Sequence, residues 1–308
     1  MKKLLIATTV LASMATVAAA ETGVKIGGYG RFGLVHYSGK AAGINETTVH
    51  TRLRMNIDAT TETDSGVVFG GRIRIQDSNN LNGYNYGTLI GNALLFTEYE
   101  GLRVEVGNTN TAFDSAALVY DSEMGLRDTS NGDSRSSYFG YDDFGGADRM
   151  GVYASYSING FSAQASFVTP DQYTSTGVNE ELGLALAYST DLFTVSAAAV
   201  QDGAGIANND IWFIGGAYKV MPELTVGLNY IDEGTAALGS TAVLYGNYTM
   251  GATTLKAYVA NNDAAANLTD TAFGIGADYD LGGAKLTGSI QRDYAEETYA
   301  DLGVRFNF

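Results

Sequence analysis

Basic side chains recur at even spacings in three successive segments near the start of the chain: Lys25 and Arg31, then Arg52 and Arg54, then Arg72 and Arg74. Each set alternates with an apolar row, Val24/Ile26/Phe32/Leu34, then Leu53/Met55/Ile57, then Phe69/Ile73/Ile75. A β-strand over any of these segments holds cations on one face and hydrocarbon on the other. Side by side, the three strands build a basic wall. Fixed guanidinium charges of this kind make or break no bonds; they steer and filter charged solutes.

The complementary charge lies further on. Between Asn108 and Ala147 no strand pattern occurs, and the stretch carries Asp114, Asp121, Glu123, Asp128, Asp133, Asp142 and Asp143. Loops this long in a compact domain are usually functional. Folded inward, its carboxylates would face the arginines across a water path and set a transverse field. Folded outward, it would be a solvated acidic flap, with the arginines paired to carboxylates such as Glu105.

Catalytic and metal readings find little support. The two histidines, His36 and His50, lie close to one polar loop, where a rim hydrolase is conceivable. They lack zinc-ligand spacing, and the chain has no cysteine. Gly27-Gly28-Tyr29-Gly30 has no helix after it to make a phosphate loop. We expect no catalytic residue, no metal and no cofactor; the Asp142-Asp143 pair is read as solvated. Gly28 and Gly30 either leave a flat outer patch that another subunit could approach or permit a twist or bulge.

The elements that position these residues follow a period of two. In the last segment Ala300, Leu302, Val304, Phe306 and Phe308 share one face, and Tyr299, Asp301, Gly303, Arg305 and Asn307 the other. Sixteen such segments are expected, separated alternately by tight turns and longer polar loops. Seven turns fall near Thr61 to Gly66, Glu100-Gly101, Asn159-Gly160, Thr190-Asp191, Met221-Pro222, Gly251-Ala252 and Leu281 to Gly283. Eight loops fall near 38–48, 78–90, 108–147, 169–179, 202–209, 232–240, 261–269 and 294–296. Such sorting fits an antiparallel barrel with both termini at the short-turn rim, and a two-sheet sandwich has no reason to produce it. Strand registers stay open in 92–106, where charge mixes into the pattern, and in 182–188 and 211–218, where both faces are apolar or small. Tyrosines near segment ends (Tyr37, Tyr99, Tyr153, Tyr156, Tyr188, Tyr218, Tyr230, Tyr248 and Tyr279) suit interfacial girdles.

Composition agrees. The 308 residues include 39 glycines and 20 tyrosines, with charged residues at 17%. Mean hydropathy is −0.03, and past residue 20 no apolar run reaches the roughly 20 residues a membrane helix needs. The first twenty residues read as an export signal: Lys2 and Lys3, an apolar core, then Ala18-Ala19-Ala20, leaving 21–308 as one barrel domain. Without Lys2 and Lys3, 16 basic face 34 acidic residues, a formal charge of −18. That balance argues against nucleic acid as partner.

Three segments carry a resemblance: the opening strand Val24 to Tyr37, the run Gly107-Asn108-Thr109-Asn110-Thr111-Ala112-Phe113-Asp114-Ser115-Ala116 entering the long loop, and the closing strand ending in Phe308. With these, the chain resembles the general diffusion porins of alphaproteobacteria over its whole mature length. The resemblance implies a sixteen-stranded, all-β transmembrane barrel of the Gram-negative outer membrane, with short periplasmic turns and long extracellular loops. It further implies a third loop folded into the lumen and a homotrimer in outer-membrane lipid that passes small hydrophilic solutes and ions passively. Carried over residue by residue, the pore constriction sets Asp114, Asp121, Glu123 and Asp128 against Arg31, Arg52, Arg54, Arg72 and Arg74. Two other classes compete: a barrel hydrolase using His36 or His50, and a plugged adhesin-like barrel that conducts nothing.

Overall fold

The computed structural model describes residues 23–141, 149–173 and 177–308; residues 1–20, expected to be an export signal, and the Asp142-Asp143 pair lie outside them. The strands, in chain order, are β1 Gly23–Tyr37, β2 Thr47–Glu62, β3 Val68–Asn79, β4 Asn85–Ile90, β5 Leu94–Tyr99, β6 Leu102–Gly107, β7 Met150–Ile158, β8 Phe161–Thr169, β9 Glu181–Ser189, β10 Phe193–Gln201, β11 Ile211–Met221, β12 Leu224–Asp232, β13 Ser240–Met250, β14 Thr253–Asn262, β15 Thr271–Asp280, β16 Ala284–Arg292 and β17 Thr298–Asn307. Apart from β4 and β5, each pairs antiparallel with its neighbours in the chain, and β17 returns to pair with β1. β4 and β5 pair with opposite ends of β3, so they are two pieces of one stave, and the closed barrel has sixteen. Closure pairs the staves along both sides, the short β4 piece excepted, whose ladder is with β3 alone, and such pairing is what lets a sheet cross hydrocarbon. At the seam the Gly28 amide donates to the Phe308 carbonyl at 2.9 Å, and the Phe308 amide donates back to Gly28 at 3.1 Å.

Seven short turns share one rim with both chain ends, and eight longer connections share the other. Glu100-Gly101 and Asn159-Gly160 have positive φ at both positions (44° and 85°, 48° and 81°), the conformation that closes a two-residue hairpin without splaying its strands. Two boundaries differ from expectation. β2 runs on to Glu62, and residues 85–90, expected to be loop, form β4. Polar side chains hold that strand where apolar alternation is lacking: Asn85 Nδ2 donates to Asp77 Oδ1 at 3.1 Å, and Thr88 Oγ1 to Asp77 Oδ2 at 3.3 Å.

The faces sort as the period of two requires. Val24, Ile26, Phe32 and Leu34 of β1 are exposed outside, and Leu302 and Phe308 continue the band across the seam. Such a belt on a monomer is a membrane surface, not a soluble one. Outward-facing Tyr99, Tyr156, Tyr188, Tyr218, Tyr248 and Tyr279 sit within a few residues of the short turns and form a girdle at that rim. Trp212 and Tyr230 stack 5.1 Å apart outside near the other rim. Tyr37 and Tyr153, expected in the girdle, face inward: Tyr37 donates to Asp293 at 3.0 Å, and Tyr153 is buried.

The three open registers resolve through the barrel interior. In β5 and β6, Glu98, Arg103 and Glu105 all point inward, where Arg103 pairs with both carboxylates and stacks on Phe96. In β9 and β11 the outer rows are Leu182, Leu184, Leu186 and Tyr188, and Trp212, Ile214 and Tyr218. Their inner rows, including Ala185, Ala187, Ile211, Phe213 and Ala217, are buried under the third loop. Both faces are apolar because lipid is to meet one and a loop covers the other.

Candidate channel constriction

The connection between β6 and β7 lies against the inner face of the barrel. Its entry, Ala112, Phe113, Ala116, Leu118 and Val119, packs on Val200, Ile211, Phe213 and Ile231 of the wall. Each large side chain so buried contributes on the order of 1.5–3 kcal/mol. Asn229 Nδ2 donates to the Leu118 carbonyl at 2.7 Å, fixing a turn in which Leu118 takes a φ of 70°. Met124 enters a second cluster with Val243, Tyr245, Tyr258 and Ala260. At the tip, Leu126 is fully buried over Gly33 and Gly303, which pair across β1 and β17. A Cβ on either glycine would come within 2.8 Å of a Leu126 methyl, so the seat exists only for glycine. On the return limb, Ser134 Oγ and the amides of Arg135 and Ser136 donate to Glu233 Oε2 at 2.7, 2.9 and 3.1 Å. The Phe139 amide donates to Glu181 at 2.6 Å.

The loop leads to the arginines. Arg52 and Arg54 both donate from Nε to Gln76 Oε1, at 2.8 and 2.7 Å, and both lie over the Tyr29 ring at 5.6 Å. Tyr141, at the end of the described loop, slides under Arg74 at 3.4 Å and Arg54 at 5.2 Å. Arg54, Arg74, Tyr141, Gly140, Asn110 and Asp114 line one open polar cleft. Asp114 is oriented there by the Tyr120 hydroxyl, 2.7 Å away, itself 2.5 Å from that of Tyr138. Burial, reinforced by Tyr138 and Asp114, raises the Tyr120 pKa, so this phenol stays a donor.

The other charged residues are placed differently. Arg72 forms a two-point ion pair with Asp58 of β2 at 2.6 and 3.2 Å. Arg31 is buried, donating to the Leu126 carbonyl at 3.3 Å and lying 3.8 Å from Asp128. Asp128 also pairs with Arg305. Asp121 faces Tyr245 and Lys256 on the far wall; burial raises its pKa, with Lys256 opposing. Glu123 lies among Asp133, Asp128 and Lys256, and burial first, then the two aspartates, raises its pKa. The two histidines part company: His50 faces inward, and His36 faces outward with its Nδ1 3.0 Å from Thr47 Oγ1. They cannot share a site.

Arg305, Tyr29 and Tyr141 were not singled out from the sequence as site residues. Arg305 stands in the polar row of the closing strand, and barrel closure sets it directly opposite Arg31. Gln76 continues the β3 row of Arg72 and Arg74. For Tyr141, deep in an irregular loop, no sequence signal existed.

A closed sixteen-stave barrel with a lipid-facing belt and a charged interior defines a transmembrane channel of the outer-membrane type. The Gram-negative porin family model matches residues 7–298, and the chain belongs to that family. A curated porin from Fuscovulum blasticum is 46% identical over 293 residues, which span 92% of this chain and all of that one. Two solved engineered variants of the Rhodopseudomonas blastica porin superpose with TM-scores of 0.88 at 45% and 44% identity, each covering 93% of this chain and all of the other. The protein is thus a channel and not an enzyme: it resides in the outer membrane and passes small hydrophilic solutes and ions by diffusion.

Proposed function

We propose that passage is filtered where the third loop meets the arginine wall, a constriction lined by Arg31, Arg52, Arg54, Arg72 and Arg74 on one side and Asp114, Asp121, Glu123 and Asp128 on the other. The observation that carries this reading is the cleft shared by Arg54, Arg74 and Asp114. There, opposed fixed charges would orient a dipolar solute and reject one too wide to shed its water. Asp128 and Arg31 serve that filter by docking the loop tip, Arg72 by holding Asp58, and Asp121 and Glu123 by charging the side toward Lys256. The working unit is a homotrimer of residues 21–308, released from a signal segment 1–20. Its supports are the family resemblance and the Lys-Lys, apolar, Ala-Ala-Ala order of the first twenty residues.

The test is current across a planar lipid bilayer after addition of the purified mature protein. Stable steps that close in thirds at high voltage are expected, with a reversal potential of weak cation preference that follows the −18 charge. Replacing Arg54 and Arg74 must shift that potential. Silence from folded, inserted protein would overturn the open-channel reading, and an unshifted potential would overturn the filter.

A further inference from the structure

Where the third loop's tip meets β1 and β2, buried hydrogen-bond donors outnumber their acceptors. His50 is 3% exposed, and although the Asn79 side chain lies within hydrogen-bonding range of its ring, neither ring nitrogen reaches good hydrogen-bond geometry. Arg31 is 7% exposed with its Nε unpartnered, and the Nε of Arg127 is buried and unpartnered as well. These groups are neighbours. His50 lies across from Gly33, and Arg31 across from Arg52, so the first and third are diagonal neighbours on the inner face. Arg127 follows Leu126, whose carbonyl accepts from Arg31 at 3.3 Å. Arg31, Arg127 and Arg52 all act electrostatically on His50.

The acceptors nearby are already engaged. Asp128 serves Arg305 and, at 3.8 Å, Arg31. Asp301 accepts from the Leu126 amide at 2.8 Å, the Arg127 amide at 3.4 Å, Ser289 at 3.0 Å and Tyr299 at 3.1 Å. Asn79, beside His50, accepts from the Thr51 amide at 2.8 Å and donates to the Val49 carbonyl at 2.6 Å. Around this point Arg31, Arg52, Arg127 and Arg305, with Lys40 beside Arg127, face Asp128 and Asp301, while Glu123 and Asp278 act on Arg305 and Glu46 on Lys40. Lys285 extends the row, since Lys285, Arg305, Arg31 and Arg52 stand in register on four adjacent strands. Like charges directly opposite one another repel, and buried N–H groups without acceptors are rare in folded proteins.

We propose that His50, Arg31 and Arg127 form a binding site for a small inorganic anion of halide size, behind the loop tip and off the cleft lined by Arg54, Arg74 and Asp114. A neutral imidazole donates through one nitrogen, and each guanidinium Nε adds a fixed N–H, so the anion meets donors from β1, β2 and the loop. It balances the cationic row and ties the tip to the wall. The site does not depend on the constriction reading.

Bromide is the probe. Crystals of the mature porin grown in sodium bromide should show an anomalous peak within hydrogen-bonding reach of His50 and Arg127. Heat unfolding in potassium chloride and in potassium gluconate at equal ionic strength supplies the second readout. Wild type should unfold several degrees higher in chloride, and Arg127→Gln and His50→Gln should lose that difference while still conducting. Water density alone at the site, bromide bound only elsewhere, or equal unfolding in both salts would overturn the proposal. Should a variant fail to fold, the bromide map of the wild type decides.

Discussion

Arg74 stacks on Tyr141 with its guanidinium carbon 3.4 Å from the ring centroid, so a residue of the loop forms a lid on a residue of the wall. The ring also carries Arg54 at 5.2 Å. Such contacts hold about 0.5–2 kcal/mol each. Tyr141→Ala should free both arginines and widen the cleft, raising single-channel conductance by roughly a few tens of per cent. An unchanged conductance would mean that the narrowest point lies elsewhere.

Removing both guanidinium groups, as Arg54→Ala with Arg74→Ala, leaves Asp114 without its opposing charge. Potassium should then pass more readily relative to chloride, by about twofold or more in permeability ratio. The measurement is the zero-current potential in a tenfold salt gradient, and a shift toward anions would contradict the arrangement.

Glu233 gathers the Arg135 and Ser136 amides, Ser134 and, at 2.5 Å, Thr241 Oγ1. Glu233→Ala strands these donors, each costing about 1–3 kcal/mol where buried. Faster amide exchange at 134–136 and noisier open-channel current are expected, with the barrel itself intact by circular dichroism. Unaltered exchange would show that packing alone holds the return limb.

How much of this the sequence foretold differs between wall and loop. The alternation in β1, β2, β3 and β17 is local, so Arg31, Arg52, Arg54 and Arg72 could be assigned to one face from spacing alone. β9 and β11 resisted because the loop that buries Ala187 and Phe213 comes from dozens of residues upstream. The path of that loop is a tertiary property. Hence nothing local told Asp114, which turns to the arginines, from Asp121, which turns to Tyr245 and Lys256. Arg305 became part of the cationic row only once the last strand met the first.

The loop carboxylates imply a pH dependence. Burial raises the pKa values of Asp121, Glu123 and Asp133 above their unfolded values, so the folded chain holds protons the unfolded chain has released. Stability from these groups is present below the ordinary carboxylate range and declines as pH rises through the raised values. Glu123→Gln should therefore flatten the fall in unfolding temperature between mildly acidic and mildly alkaline buffer. If the variant and the wild type fall in parallel, Glu123 is not the group responsible.

On the outer surface the Phe306 ring lies over Gly30, and a Cβ there would come within 2.4 Å of its Cζ. This seat covers the seam between first and last strands. Gly30→Leu should expel the ring and destabilise the barrel by about 1–3 kcal/mol, read as a lower temperature for loss of the compact gel band. Adding Phe306→Ala should recover part of the loss, and no recovery would place the fault in the backbone.

The oily inner stripe of β9 to β12 has meaning for the barrel's history as well as its shape. A descendant that lost residues 112–119 would gain width and expose Val200, Ile211, Phe213 and Ile231 to the water path. Such a mutant would be a sticky pipe before it was a wide one, prone to clog with apolar cargo and to self-associate on its way to the membrane. Enlarging this pore takes paired changes, polar residues entering the stripe as the loop retreats. Lineages of such channels should therefore show loop length and stripe polarity drifting together.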